Sequence, residues 1–196
     1  MLKPENWNER WQNHNTPWDL KGATPALVEW CHTHDAAQLH VLVPGCGNGH
    51  DAHLLSKNKA RVTAVDFAQG ALDSAASRYP QSRVQWQLAD VTTMPFENAF
   101  NRVWEYTCFC ALSPNLRESY LDRVHAALKP EGIYWGIVFS KVPDHENGPP
   151  FQIEPHAFKE LLSKRFTLQE FEPITMRSVR NRQGNEIWFS AKKEKI

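Results

Sequence analysis

Residues 39–51 constrain this chain more than any other stretch. Leu39-His40-Val41-Leu42-Val43 reads as a buried strand, Pro44-Gly45-Cys46-Gly47-Asn48-Gly49 as a glycine turn, and His50-Asp51 as the opening of a helix. Glycines at alternate positions permit positive φ and let the backbone approach a ligand closely. A second apolar run, Arg61-Val62-Thr63-Ala64-Val65, ends in Asp66, 21 positions after Gly45. A spacing of roughly 20 residues places a carboxylate on ribose hydroxyls in a strand–turn–helix–strand unit. The stretch therefore points to a nucleoside held at the first turn of a doubly wound sheet. A glycine turn without a ligand is the competing reading.

The charge pattern decides among nucleosides. A dinucleotide rests its pyrophosphate on the N-terminus of the first helix. Here that helix opens with Asp51, and no Lys or Arg lies between Val41 and Ser56. Such a carboxylate suits the helix dipole and repels a pyrophosphate. The spacing is G-x-G-x-G rather than G-x-G-x-x-G. S-adenosylmethionine has a ribose, an adenine and a cationic sulfonium but no phosphate, and it fits a neutral-to-acidic loop better.

Charge and cysteine usage exclude several other classes. Lys and Arg number 22 against 22 Asp and Glu, so the formal net charge is zero. No basic stripe of the kind that tracks nucleic acid is visible. The closing Lys192-Lys193-Glu194-Lys195 reads as a solvated tail. No apolar run approaches the roughly 20 residues that span a bilayer, and Met1-Leu2-Lys3-Pro4-Glu5-Asn6 lacks the apolar stretch of a signal peptide. Cys31, Cys46, Cys108 and Cys110 show no C-x-x-C spacing. They read as free thiols of a cytoplasmic protein, neither disulfides nor metal ligands. A small-molecule substrate is the one partner expected, with the chain as a monomer.

At 196 residues the chain is one domain's worth. Helices are expected over 4–13, 24–34, 50–57, 67–79, 116–128 and 155–164. Strands are expected over 39–43, 61–66, 83–88, 101–106, 133–140, 166–171 and 186–192. Thr24-Pro25 supplies an N-cap and N1 pair. Pro80 stops one helix, and Lys129-Pro130-Glu131-Gly132 another. A long connection over 141–153 has the length of a lid or binding loop. Strands alternating with helices give a mostly parallel α/β sheet. The closing pair of strands, joined by Arg182-Gln183-Gly184-Asn185, adds one antiparallel strand. Ligands on such sheets bind beyond the carboxyl ends of the strands. The glycine turn, Asp66, Asp90 and Tyr106 are all expected there.

Each residue has a chemical reading beside a structural one. Asp66 can accept from both ribose hydroxyls, or cap the helix that follows. Asp90 can accept from the adenine amine while Val91 offers its backbone N–H, or Asp90 is an ordinary turn acid. Trp7, Trp11 and Trp18 can wall the sulfonium by cation–π contact, worth about 0.5–2 kcal/mol each, or simply pack the first helix. Tyr106 can face the transferred group, or fill the core. His145 is the best base on offer, although a loop histidine is commonly exposed. The expected active face carries Trp18, Tyr106, Phe109 and Phe151 and shows no obvious acid–base pair.

Thr16-Pro17-Trp18-Asp19, Ala23-Thr24-Pro25 and the run from Leu42 to Asp51 resemble the thiopurine S-methyltransferase superfamily. So do Val65-Asp66, Tyr106 with Phe109-Cys110-Ala111-Leu112, Leu128-Lys129-Pro130, and Asp144-His145 with Gly148-Pro149-Pro150-Phe151. The set is most similar to the plant harmless-to-ozone-layer branch of thiol and halide methyltransferases. Many S-adenosylmethionine enzymes carry an acid two residues before the first glycine. Here Val43 and Pro44 replace it, as is typical of this superfamily. Glu105 stands where the plant sequences tend to have Asp. The resemblance covers about residues 7–153; the last forty match weakly.

The resemblance implies a class I, Rossmann-like methyltransferase with a seven-stranded, mostly parallel sheet and one antiparallel strand near the C-terminus. It implies one domain over 1–196, with 1–22 covering the cofactor and 23–196 forming the core. The cofactor would be S-adenosylmethionine, released as S-adenosylhomocysteine, and held by Trp7, Trp11, Trp18, Gly45, Gly47, Asp66, Phe67, Asp90, Val91 and Tyr106. Tyr106 and His145 are the catalytic candidates. The acceptor would be a thiol, hydrosulfide or halide. The alternatives are tellurite, selenium or thiopurine acceptors, a protein that binds S-adenosylmethionine without turnover, and, least favoured, an NAD(P) enzyme.

Overall fold

The computed structural model describes residues 4–142, 148–174 and 178–195. It divides into two compact units, 1–91 and 92–196. Among the described residues seven strands form a mixed sheet, three of them in the first unit and four in the second.

The first unit runs α1 (Pro4–Gln12), α2 (Pro25–Thr33), β1 (His40–Pro44), α3 (His50–Lys57), β2 (Arg61–Asp66), α4 (Gln69–Arg78) and β3 (Gln85–Leu88). β1 pairs in parallel with β2, and β2 with β3. Nearly every residue of β1 and β2 is buried, as expected of parallel strands covered on both faces. α3 and α4 pack on β2, and their buried residues are mostly alanines, Ala52, Ala71 and Ala75, with Leu55 and Leu72. Small side chains let these helices lie close to the strand. β3 is the open edge, mostly exposed, and it starts at Gln85 rather than Arg83. α4 starts at Gln69 rather than Phe67, because the Asp66 carboxylate accepts the Ala68 N–H at 3.0 Å and holds 66–68 in a turn.

The second unit contains β4 (Phe100–Tyr106), α5 (Arg117–Ala127), β5 (Leu128–Phe139), α6 (Pro155–Ser163), β6 (Thr167–Ile174) and β7 (Glu186–Lys192), with short 3-10 turns at Phe109–Ala111, Pro114–Leu116 and Arg180–Arg182. β4 and β5 are parallel, and β7 is antiparallel to both β5 and β6. The core is aromatic. Trp104 lies 5.2 Å from Trp135, and Phe189 lies 4.8 Å from Tyr134 and 5.2 Å from Phe158. Edge-to-face pairs of this kind add about 0.5–1.5 kcal/mol each beyond area burial. β5 comes so close to β4 that a Cβ on Gly136 would stand 2.0 Å from the Glu105 carbonyl oxygen. Only glycine fits there.

Glu105 itself is fully buried. One carboxylate oxygen accepts the N–H groups of Cys108 and Phe109, both at 2.9 Å; the other accepts the hydroxyls of Tyr120 at 2.7 Å and Tyr134 at 3.0 Å. Burial pushes its carboxyl above the usual range, and these four donors pull it part of the way back.

Three expectations are corrected in this unit. Lys129-Pro130-Glu131-Gly132 ends α5, but the chain is already extended there, and β5 begins at Leu128 instead of Ile133. Leu128 pairs with Phe100 of β4, and the stretch that follows is held by Lys193. Its backbone exchanges hydrogen bonds with Glu131 and Gly132. Its ammonium donates to Asn98 Oδ1 at 3.1 Å and to the carbonyls of His125 at 2.9 Å and Leu128 at 2.8 Å. A cation on the last carbonyls of a helix complements its dipole. Lys193 is thus 5% exposed, so 192–195 is not simply a solvated tail. Phe109 is likewise fully buried against Phe158, at 4.9 Å, and against Tyr120. It belongs to the core, not to an active face.

Among the described residues, no helix is long and apolar enough to cross a membrane.

Candidate functional site: the glycine loop and the tryptophan segment

The chain leaves β1 through three glycines with positive φ, 59° at Gly45, 50° at Gly47 and 72° at Gly49. Gly49 forms the N-cap of α3 in the left-handed region. A Cβ there would meet the Trp86 ring at 2.4 Å, so both backbone and space demand glycine. Asp66, 8% exposed, stands behind the loop. Its carboxylate accepts the Gly47 N–H at 3.0 Å and the Ala68 N–H at 3.0 Å, and the Phe67 N–H also faces it. Burial raises its carboxyl above the ordinary value, and these backbone donors oppose the rise. A carboxylate offers about four lone-pair positions. The capping role and a hydroxyl-accepting role are therefore compatible on this one side chain.

The three N-terminal tryptophans come together. Trp18 stands edge-on to Trp7 at 5.1 Å and to Trp11 at 6.0 Å. Trp11 also borders the glycine loop: a Cβ on Gly47 would lie 3.5 Å from its ring. α1 is fixed on α4 by the Gly70 N–H, which donates to Asn8 Oδ1 at 3.1 Å. The tryptophans already face one cation. The Arg10 guanidinium lies 5.6 Å from the Trp7 ring centroid and 5.8 Å from that of Trp18. Asp90 is exposed just beyond β3, Val91 is buried, and Phe67 is half-buried after Asp66.

Two acids of this unit have partners that spacing does not reveal. Asp51 was expected at the start of α3, and it is there. Its carboxylate accepts both the Thr24 N–H and the Thr24 hydroxyl at 2.7 Å. Thr24 is thus the N-cap of α2 by position, yet its side chain makes no capping bond. Asp19 follows Trp18, and its side chain is 3% exposed. It accepts from Asn48 Nδ2 at 2.6 Å, His50 Nε2 at 3.0 Å, the Lys21 N–H at 2.9 Å and Lys21 Nζ at 2.9 Å. Burial alone would raise its carboxyl; hydrogen bonds and charge from Lys21, with the charge of His50, outweigh that and hold it low. A carboxylate only accepts, so His50 Nε2 bears a proton, leaving Nδ1 to meet the Tyr79 hydroxyl at 2.6 Å.

In the second unit, Tyr106 ends β4. Its hydroxyl donates to Glu186 Oε1 at 2.9 Å and accepts from Arg182 Nη1. The Arg182 guanidinium lies 5.5 Å from the Tyr106 ring and 5.3 Å from that of Phe139. Burial, reinforced by the Glu186 charge, pushes the Tyr106 hydroxyl far above its ordinary value against the pull of Arg182. Burial raises Glu186 as well. This cluster supplies the ionisable partners that the sequence had not revealed, since 182–185 read only as a turn. Phe151 is half-buried, its N–H donating to the Cys110 carbonyl at 2.7 Å. His145 lies outside the described residues. Among the described residues, no group of His, Cys, Asp and Glu could hold a metal ion.

Comparison with known proteins bears on the family and the fold. The family model described as Thiopurine S-methyltransferase (TPMT) matches residues 2–195. Thiocyanate methyltransferase 1 of Arabidopsis thaliana is 31% identical over 160 residues, covering 80% of this chain and 70% of that protein. A probable thiol methyltransferase 2 of the same plant is 27% identical over 160 residues, with the same coverage of each. The solved structure of Burkholderia thailandensis 1,6-didemethyltoxoflavin-N1-methyltransferase, which holds S-adenosylhomocysteine, superposes with a TM-score of 0.76. It is 22% identical and covers 98% of this chain and 87% of the other, a likeness of fold.

Proposed function

We propose, from the premise that this chain belongs to the thiopurine S-methyltransferase family and is an S-adenosylmethionine-dependent methyltransferase, that its acceptor is a small soft anion, a thiolate, hydrosulfide or halide. When bound, the cofactor supplies an electrophilic methyl on a sulfonium. The first unit's residues fit it: a glycine loop without Lys or Arg and with Asp51 at its helix, a buried carboxylate at Asp66 with a lone pair to spare, and aromatic faces at Trp7 and Trp18 that already accept a guanidinium. We assign the cofactor to Trp7, Trp11, Trp18, Gly45, Gly47, Asp66, Phe67, Asp90 and Val91, with Tyr106 on the transfer side and His145 as an optional base. We read the chain as one methyltransferase domain, cytoplasmic, with its four cysteines free.

The observation that carries the acceptor class is the state of Tyr106. Its hydroxyl proton is committed to Glu186, and burial makes its loss costly. Such a phenol is a poor base. An alcohol, with its high pKa, would need a strong one, whereas a thiol of pKa about 8.5 is already a few per cent thiolate at pH 7. The names of the related proteins, thiocyanate, thiol and thiopurine methyltransferases, agree in a sulfur acceptor. Catalysis would then rest on orientation of the acceptor and on exclusion of water by the tryptophan segment. The test is a pH series with hydrosulfide, a small thiol, thiocyanate and iodide. Thiol rates should rise toward the thiol pKa, while the iodide rate stays flat. One bell-shaped profile shared by thiol and iodide would make a protein group, with Glu186 the first suspect, the governing acid or base, and the reading would be wrong.

A further inference from the structure

The Asp19 carboxylate is buried and meets four donors, and two of them belong to the glycine loop and the start of α3. Its neighbour in sequence, Trp18, touches both other tryptophans. Its partners Asn48 and His50 flank Gly49, and Asn48 follows Gly47, where the Trp11 ring rests. Behind them, the Ser74 hydroxyl donates to Asn48 Oδ1, and Tyr79 meets His50 Nδ1. Both of these backing groups come from α4 or its C-cap. The tryptophan segment, the glycine loop and α4 are thus joined through one carboxylate, and every polar atom of the junction finds a partner whose geometry the next one fixes.

We propose that Asp19 is a positioning residue, a latch that holds the tryptophan segment closed on the glycine loop in the cofactor-competent arrangement. It acts through Asn48 and His50 and touches neither cofactor nor acceptor. Without it, the segment still has its aromatic contacts but loses its charged anchor, and closure becomes one state among several. A site that is competent only part of the time binds in proportion to that fraction. A fall in the closed population to about a tenth weakens apparent affinity about tenfold. The proposal rests on the cofactor assignment of the first unit, and the test below separates the two.

Steady-state kinetics with S-adenosylmethionine varied at saturating thiol would compare Asp19→Ala, Asp19→Asn, His50→Leu and His50→Gln, with Asp66→Ala as the reference for the cofactor site. Asp19→Ala and His50→Leu should raise the KM for S-adenosylmethionine about tenfold, with kcat and the acceptor KM near wild type. His50→Gln, whose amide nitrogen can still donate to Asp19, should restore most of the affinity. Asp19→Asn keeps one acceptor oxygen and should fall between; it serves if Asp19→Ala does not fold. An unchanged KM in folded Asp19→Ala or Asp19→Asn overturns the latch. So does a loss confined to kcat, or a His50→Gln variant no better than His50→Leu. If Asp66→Ala also leaves the KM unchanged, the cofactor assignment fails with it; if Asp66→Ala raises the KM while the Asp19 variants do not, only the latch is wrong.

Discussion

Asp66 shows how one side chain serves two demands. It caps the turn into α4 and steadies the loop at Gly47, yet keeps acceptor capacity. Replacing it with alanine should weaken S-adenosylmethionine binding about 10- to 100-fold, the worth of a charge-assisted hydrogen bond at roughly 1.5–3 kcal/mol. Calorimetry on folded Asp66→Ala checks this; wild-type affinity would remove the ribose assignment. The position of Asp66, at the end of β2 behind the glycine turn, was legible from its spacing to Gly45 because both lie in one strand–turn–helix–strand unit. Asp19 was not. Apart from Lys21, its partners lie 29 and 31 positions away, and no local pattern announces a pairing at that distance. Glu105 and Glu186 were hidden for a related reason: burial of an acid is decided by the tyrosines and the arginine that fold around it.

Elements were read best where the local rules agreed. α3 and β2 fall at their expected residues because a glycine turn starts one and an acid closes the other. The reading fails at Leu128, where helical periodicity continues but pairing with Phe100 of β4 holds the chain extended. The glycine turn itself makes a sharp prediction. Gly49→Ala puts a methyl group into the Trp86 ring in a left-handed conformation. It should cost about 1–3 kcal/mol for overpacking and about as much again for backbone strain. Trimming the ring with Trp86→Leu should recover the first part only. Urea unfolding of the two single variants and the double variant measures the coupling; additive losses would show that the ring is not what excludes a side chain there.

At the scale of the whole molecule, the thiols report on integrity. Cys31, Cys108 and Cys110 are buried. Burial pushes the Cys31 thiol up to about 11, with help from Asp51, and the Cys110 thiol up to about 12, with help from Glu105. The native state therefore resists ionisation where the unfolded chain, near pH 8.5–9, does not. The sign follows: this contribution is fully present below pH 9 and is lost as pH rises through the folded values. Unfolding free energy should fall between about pH 9 and 12, and the three thiols should react with a chromogenic disulfide only as the protein unfolds. Substituting alanine at Cys31 and Cys110 should flatten the alkaline limb; an unaltered limb would assign it to other groups.

The position of β7 has a consequence for how the molecule is made. It follows β6 in sequence but lies between β5 and β6 in the sheet. As the chain emerges from a ribosome, β6 can appear and still have no strand to pair with until residues 186–192 arrive and slide into the gap. For that interval two strand edges and the aromatic surface awaiting Trp188 and Phe189 stay open, the kind of surface that recruits chaperones or other nascent chains. A messenger truncated just before Glu186 would leave its product in that state permanently, with nearly all of its sequence and no means of closing its own sheet.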